Sequence, residues 1–195
     1  MGLEVKLEKS AGGIPVFQNT PEIAQGGFTL DITGLTLGAV VPAGTVMGFD
    51  EATRKAAPLK VAKLQADATN VAVAYQVEKG SLVIVGDNLA AVVGGKAYPV
   101  TVIDKTNAAY DVLTVGTTLG VALTAGTGLF ISSATGAAAA VYATAAKGLL
   151  YQETKVAVNE PVAIAIHATV YARRIPVVTP EIKALLPQIS FSQSF

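Results

Sequence analysis

The sequence contains no cysteine and no tryptophan, and it has a single histidine, His167. Without cysteine there is no disulfide, no thiolate nucleophile and no zinc site built on cysteine ligands. One histidine cannot supply the clustered imidazoles that many transition-metal sites use. The sequence therefore predicts neither a cofactor nor a metal site.

Charge is also scarce. Only 14% of the 195 residues are charged, and 14 basic residues balance 14 acidic ones. A neutral chain lacks the concentrated positive charge of a general nucleic-acid binder, so we expect no nucleic-acid partner. No apolar run approaches the roughly 18 residues of a membrane-spanning helix, and the charged N-terminus does not resemble a signal peptide. We therefore expect no membrane partner.

Small and aliphatic residues are abundant instead. Hydrophobic residues make up 51% of the chain, but aromatic residues only 6%. A surface with so few charges is poorly protected against association. This composition favours a chain that works in contact with copies of itself or with a larger assembly.

Short alternating segments fill most of the chain and predict a mainly β fold. From Phe28 onward, apolar and polar residues alternate, and the clearest strand covers residues 162–170. Between residues 69 and 133, turn residues recur at about the eight-to-twelve-residue spacing that is typical of a small barrel or sandwich. The alanine-rich stretch 134–146 is compatible with helix or strand, and the strands around it favour a strand.

The two ends of the chain carry local helix signals. Thr179, Pro180 and Glu181 are typical of a helix N-terminus, so we expect a short helix that Pro187 ends and an edge strand over residues 189–192. Near the start, Thr-Pro-Glu at 20–22 predicts a helical turn or two within an otherwise extended arm, residues 1–27.

Catalytic chemistry has few candidates. His167 is the only candidate for a general base near neutral pH, and no acid lies near it in the sequence. Asp104 and Asp111 flank a predicted hairpin, where carboxylates usually cap turns. We predict that the protein is not an enzyme, and a hydrolase that works through His167 is the weakest hypothesis.

Two stretches resemble the lambda-type head decoration proteins of bacteriophages. The first is Pro-Ala-Gly-Thr-Val-Met-Gly-Phe-Asp at 42–50 with Ala-Pro-Leu at 57–59. The second runs from Lys-Gly-Leu-Leu at 147–150 through the strand 162–170, Arg-Ile-Pro at 174–176, the helix and Ile-Ser-Phe at 189–191. Each piece is weak alone, and their order gives them weight.

The resemblance implies a β-rich virion protein that is assembled in the bacterial cytoplasm. It would form homotrimers on the capsid surface, bind the major capsid protein and cement the head. The family domain is shorter, so we interpret residues 69–133 as an inserted small β-barrel or sandwich that projects outward. The arm is then 1–27, and the decoration core is 28–68 with 134–195.

This interpretation assigns roles to eight residues. The capsid-binding arm is expected to use Ile14, Val16, Phe17 and Phe28, and the subunit interface His167, Tyr171, Arg173 and Arg174. The inserted module could bind a host-surface glycan. The alternative hypothesis is a carbohydrate-binding β module of a phage fibre or adhesin, for which Tyr98, Asn107 and Tyr110 are the candidates.

Overall fold

The computed structural model describes residues 15–19 and 21–193, and the fold is mainly β. These residues form sixteen strands and one helix: β1 (Glu22–Ile23), β2 (Phe28–Leu30), β3 (Val40–Val41), β4 (Val46–Asp50), β5 (Lys55–Pro58), β6 (Val61–Lys63), β7 (Ala74–Glu78), β8 (Asn88–Ala90), β9 (Ala97–Asp104), β10 (Tyr110–Val115), β11 (Gly128–Ser132), β12 (Gly148–Leu150), β13 (Thr154–Lys155), β14 (Pro161–Val162), β15 (Ile164–Tyr171), α1 (Pro180–Ala184) and β16 (Ile189–Ser192). The prediction of a mainly β chain with a short C-terminal helix is confirmed.

Eight of the strands form one large sheet. Its order is β1-β15-β12-β4-β5-β2-β14, and β16 pairs with β15 in parallel. Neighbouring residues of its central strands pack into different apolar clusters. Val46 and Leu149 contact the cluster that contains Ile182 of α1, whereas Met47 and Leu150 belong to a cluster with Val41 of the β3–β13 ribbon. Because both faces are covered, β12 is buried at every position.

The other six strands form a barrel between β5 and β12. Their order is β6-β11-β8-β9-β10-β7. A bridge between Leu64 and Val77, and a hydrogen bond of 2.9 Å from the Gln65 amide to the Gln76 carbonyl, join the first and last strands. Inward and outward residues alternate along β7 and β10, so one face of each strand fills the barrel core.

The C-terminal signals are confirmed in detail. Thr179 is the N-cap of α1 and accepts a hydrogen bond of 3.4 Å from the Ile182 amide, and Pro180 is the first helical residue. Ile182 is fully buried against the large sheet. The predicted edge strand is β16, which begins at Ile189.

Two local predictions are wrong. The Thr-Pro-Glu signal does not form a helical turn, because Glu22–Ile23 pairs with β15 as strand β1 instead. The stretch 134–146 forms neither a helix nor a regular strand. It crosses the outside of the barrel and touches it through two isolated bridges, Ala97–Gly136 and Ser132–Tyr142.

We expect Tyr75→Phe to lower the free energy of unfolding by about 1–2 kcal/mol, because one buried and one half-buried backbone group lose their partner. The fully buried Tyr75 hydroxyl donates to the Ala72 carbonyl (2.8 Å) and accepts from the Leu119 amide (3.3 Å). Burial also raises the pKa of Tyr75 above its ordinary value of 10.0. Stability from this group is therefore complete below pH 10 and is lost as the pH rises further.

Urea titrations followed by circular dichroism test this prediction at pH 8 and above pH 10. The half-buried Tyr110 provides the matched control, Tyr110→Phe, which we expect to cost far less. Equal losses in the two variants, or an identical alkaline decline in wild type and Tyr75→Phe, would contradict the prediction.

Candidate functional site

The predicted arm and interface residues meet along one edge of the large sheet. Described residues between 15 and 24 run antiparallel to β15, with Phe17 opposite Val170 and Glu22 opposite His167. We call this segment and the β15 residues beside it the N-terminal edge. It lies on the opposite side of β15 from β12 and β16, and thus ends the sheet.

Val16 and Phe17 contact β15 and the apolar cluster behind it, and so hold the N-terminal segment to the large sheet. The Val16 carbonyl accepts a hydrogen bond of 3.0 Å from the Tyr171 amide. The Phe17 ring lies 5.4 Å from the Tyr151 ring and packs on the apolar cluster that contains Val170. These two predicted arm residues therefore contact the chain's own sheet, and Ile14 lies outside the described residues.

Arg174 fastens the start of this segment. Its guanidinium stacks 4.1 Å from the centre of the Tyr171 ring and donates a hydrogen bond of 2.9 Å to the Pro15 carbonyl. Cation–π stacking and a charge-assisted hydrogen bond both favour one fixed geometry. Arg173 instead lines a nearby cavity, which Lys183 and Phe191 also line. Three of the four predicted interface residues, Tyr171, Arg173 and Arg174, thus lie at the end of β15 or in the turn that follows it.

His167 lies in the middle of the N-terminal edge. Its Nδ1 is 3.8 Å from Glu22 Oε2, and both side chains are 67% exposed. Such an exposed pair contributes little to stability. No hydrogen bond joins His167 to a hydroxyl nucleophile among residues 15–19 and 21–193, so the geometry of a catalytic triad is not assembled there.

Phe28 does not fit the role predicted for it. The residue is 4% exposed and belongs to the core of the large sheet, where its ring lies 4.6 Å from that of Phe49. The Arg54 guanidinium covers it at 5.1 Å. A side chain enclosed in this way has no surface to offer to a capsid, so we remove it from the arm.

The candidate carbohydrate-binding residues are not brought together. Strand register puts Tyr98 and Tyr110 at opposite ends of the β9–β10 hairpin, roughly 25 Å apart at the usual rise per residue. Asn107 lies in the turn and accepts a hydrogen bond of 2.8 Å from the Ala109 amide. The three side chains form no common platform.

The two hairpin aspartates also have separate environments. Asp104 is exposed and accepts hydrogen bonds from the Thr106 amide and hydroxyl, which hold the pKa of Asp104 below its ordinary value. Asp111 is buried and pairs with Lys79 at 2.6 Å. Neither arrangement resembles the facing acid and base of a glycosidase.

Two further features are absent from the described part of the chain. No three histidine, aspartate or glutamate side chains there cluster closely enough to hold a metal ion. The helix that it contains is far too short to cross a membrane.

Comparison with known proteins adds no identification. The chain matches no protein-family model, no curated protein and no solved structure. The likeness to decoration proteins therefore stays a prediction, and the functional argument depends on the geometry of this chain.

Proposed function

We propose that this chain is a structural protein of a bacteriophage virion. It forms homotrimers, binds the major capsid protein and decorates the outside of the head. Its activity is cementing: a protein that binds only the finished shell stabilises that shell by mass action.

One observation carries the proposal. The two sequence blocks that resemble decoration proteins are far apart in the chain, yet they form adjacent strands of the large sheet, in the order β15-β12-β4-β5. Helix α1 and strand β16 of the second block pack on the same sheet. The chain between the blocks forms the separate barrel. This is the arrangement expected of a decoration core that carries an insertion.

The contacts at the N-terminal edge support different roles for the two parts of the predicted arm. Backbone pairing and Arg174 hold the described residues 15–19 and 21–24 to β15. Pro15 is exposed, and the hydrogen bond from Arg174 to its carbonyl holds it at the sheet edge. In the proposal, residues 1–14, including Ile14, contact the shell. The segment that pairs with β15 connects them to the rest of the subunit.

We expect deletion of residues 1–14 to abolish binding to capsids while the fold and the oligomeric mass stay unchanged. Deletion of residues 1–27 is a poor test, because it removes β1 and uncovers one edge of β15. Labelled protein is mixed with empty capsids of the phage that encodes it, and the bound fraction is measured after sedimentation.

Asn107→Ala provides the control for this experiment, since Asn107 lies in a barrel turn outside the proposed contact. It should saturate the capsids as the wild type does. Saturation by the protein that lacks residues 1–14 would show that the arm has no role in attachment.

A further inference from the structure

Two neighbouring cavities open where the barrel meets the large sheet. Their volumes are about 260 and 450 Å³. Both are lined by Lys63 and Glu78 of the barrel and by residues 176–178, which connect β15 to α1. We call their combined surface the junction groove. Its size matches the range of ligand-binding clefts.

The junction groove is basic, although the chain as a whole has no net charge. Among the residues that the structure describes, its only acidic side chain is Glu78, and its cationic side chains are Lys63, Lys79, Arg173, Arg174 and Lys183. Glu78 pairs with Lys63 at 2.6 Å, and Asp111 pairs with Lys79 at 2.6 Å. Of the other cations, Arg174 lines the smaller cavity and Lys183 lines the larger one, so each cavity carries positive charge.

Aromatic rings hold these two cations in position. Arg174 stacks on Tyr171, and the Lys183 ammonium lies 5.2 Å from the centre of the Phe191 ring. Neither cation takes part in an ion pair among residues 15–19 and 21–193. A ring orients a cation but does not cancel its charge. The groove thus presents two preset positive groups to a ligand.

Part of the lining of the larger cavity is apolar and only partly covered. Ile175, Val177 and Phe191 are all half-buried, so they keep surface that an occupant can cover. A free inorganic anion would use only the charges. A polypeptide that alternates apolar and acidic side chains would use both the charges and the apolar floor, and its extended shape suits two cavities that share a wall.

We propose that the junction groove binds an extended acidic peptide segment of a partner protein. Its apolar side chains would lie on Ile175 and Val177, and its carboxylates would meet Arg174 and Lys183. The Arg174 guanidinium offers the planar donors that carboxylates bind in pairs. This proposal is independent of the capsid proposal, since it depends only on the chemistry of the groove.

Fluorescence anisotropy tests it with a labelled peptide of about ten residues that alternates valine and glutamate. We expect saturable binding that weakens severalfold between about 50 and about 300 mM salt, because screening reduces charge attraction. The double variant Arg174→Gln with Lys183→Gln should weaken binding about tenfold or more. The control Lys105→Gln with Lys155→Gln removes the same charge outside the groove and should leave binding unchanged.

Several outcomes would overturn the proposal. They are equal binding by the two double variants, equal binding of a valine–lysine peptide, and equal binding of a serine–glutamate peptide. Equally tight binding of single-stranded DNA would indicate a general polyanion site. Peptide binding only after removal of residues 1–14 would assign the groove to the chain's own terminus, and a change of oligomeric mass in the groove variant would assign it to a second copy.

Arg174 also contacts Pro15, so its replacement can disturb the N-terminal edge. Circular dichroism checks the fold of each variant. If the double variant is altered, Lys183→Gln alone is compared with Lys105→Gln alone. We then expect about threefold weaker binding for the former, and equality would again overturn the proposal.

Discussion

Lys60→Met should lower the free energy of unfolding by about 3 kcal/mol, because it leaves a buried carboxylate without its counter-charge. Lys60 lies between β5 of the large sheet and β6 of the barrel. Its ammonium forms an ion pair with Asp87 and donates a hydrogen bond of 2.9 Å to the Gly34 carbonyl. The two side chains are only 10% and 13% exposed.

Through these two bonds, Lys60 connects the barrel loop that carries Asp87 to the loop of the large sheet that carries Gly34. Asp87 Oδ2 also accepts a hydrogen bond of 2.9 Å from the Ile84 amide, so the carboxylate organises its own turn. When Lys60 is lost, the Asp87 carboxylate has no counter-charge, and the Gly34 carbonyl loses its donor. Adding Asp87→Asn to Lys60→Met should recover about 1 kcal/mol, since it removes the uncompensated charge.

Lys63→Met is the matched control for this prediction. Lys63 pairs with Glu78 at 2.6 Å, but these side chains are 41% and 46% exposed, so the loss should stay within about 0.5 kcal/mol. Urea unfolding followed by circular dichroism measures both, since the chain lacks a tryptophan probe. Equal losses for Lys60→Met and Lys63→Met would show that the buried pair has no special weight.

Gly148→Ala should be about as damaging as Lys60→Met, at about 3 kcal/mol, because β12 and β15 have no room for a methyl group. A Cβ at this position would lie 2.5 Å from the Ala165 carbonyl oxygen and 2.7 Å from Ile164 Cγ2. The carbonyl belongs to backbone that pairs with Leu149. It cannot move away without breaking the ladder at the centre of the large sheet.

Gly116→Ala tests whether this loss is steric. Nothing lies within 4 Å of a Cβ at Gly116, and its backbone is outside the left-handed region. We expect a change within about 0.5 kcal/mol, since alanine also restricts the unfolded chain. The same urea titration compares the two variants, and a Gly148→Ala protein as stable as Gly116→Ala would refute the close packing.

Local patterns in the sequence predicted the elements whose cause is local. The cap at Thr179 and Pro180 depends on residues within one turn, and the alternation in β7 and β10 reports the inside and outside of a barrel. By contrast, β1 exists only because β15 offers an edge far along the chain. The helix signal of three residues was too short to compete with that pairing.

The same distinction applies to the candidate site. The contacts of Arg174 with Pro15 and of Thr169 with Asn19 join residues 159 and 150 positions apart. No spacing in the sequence indicates such pairs. Phe28 shows the reverse error, since it was assigned to the capsid-binding arm, whereas its alternation with Leu30 correctly indicated a buried strand.

The junction groove was missed for a similar reason. Its cations come from β6, the turn after β7, the turn after β15 and α1, and a count of charges over the whole chain averages them to zero. Only the folded arrangement shows that five of them line neighbouring cavities. A neutral composition is therefore compatible with a locally basic groove.

Mass photometry of the purified protein, alone and with empty capsids, tests the central claim most directly. Our account predicts particles with the mass of three copies of the 19.8 kDa chain, and capsids that gain mass until their surface is saturated. A species that stays at the mass of one copy at every concentration, beside capsids whose mass does not change, would contradict it.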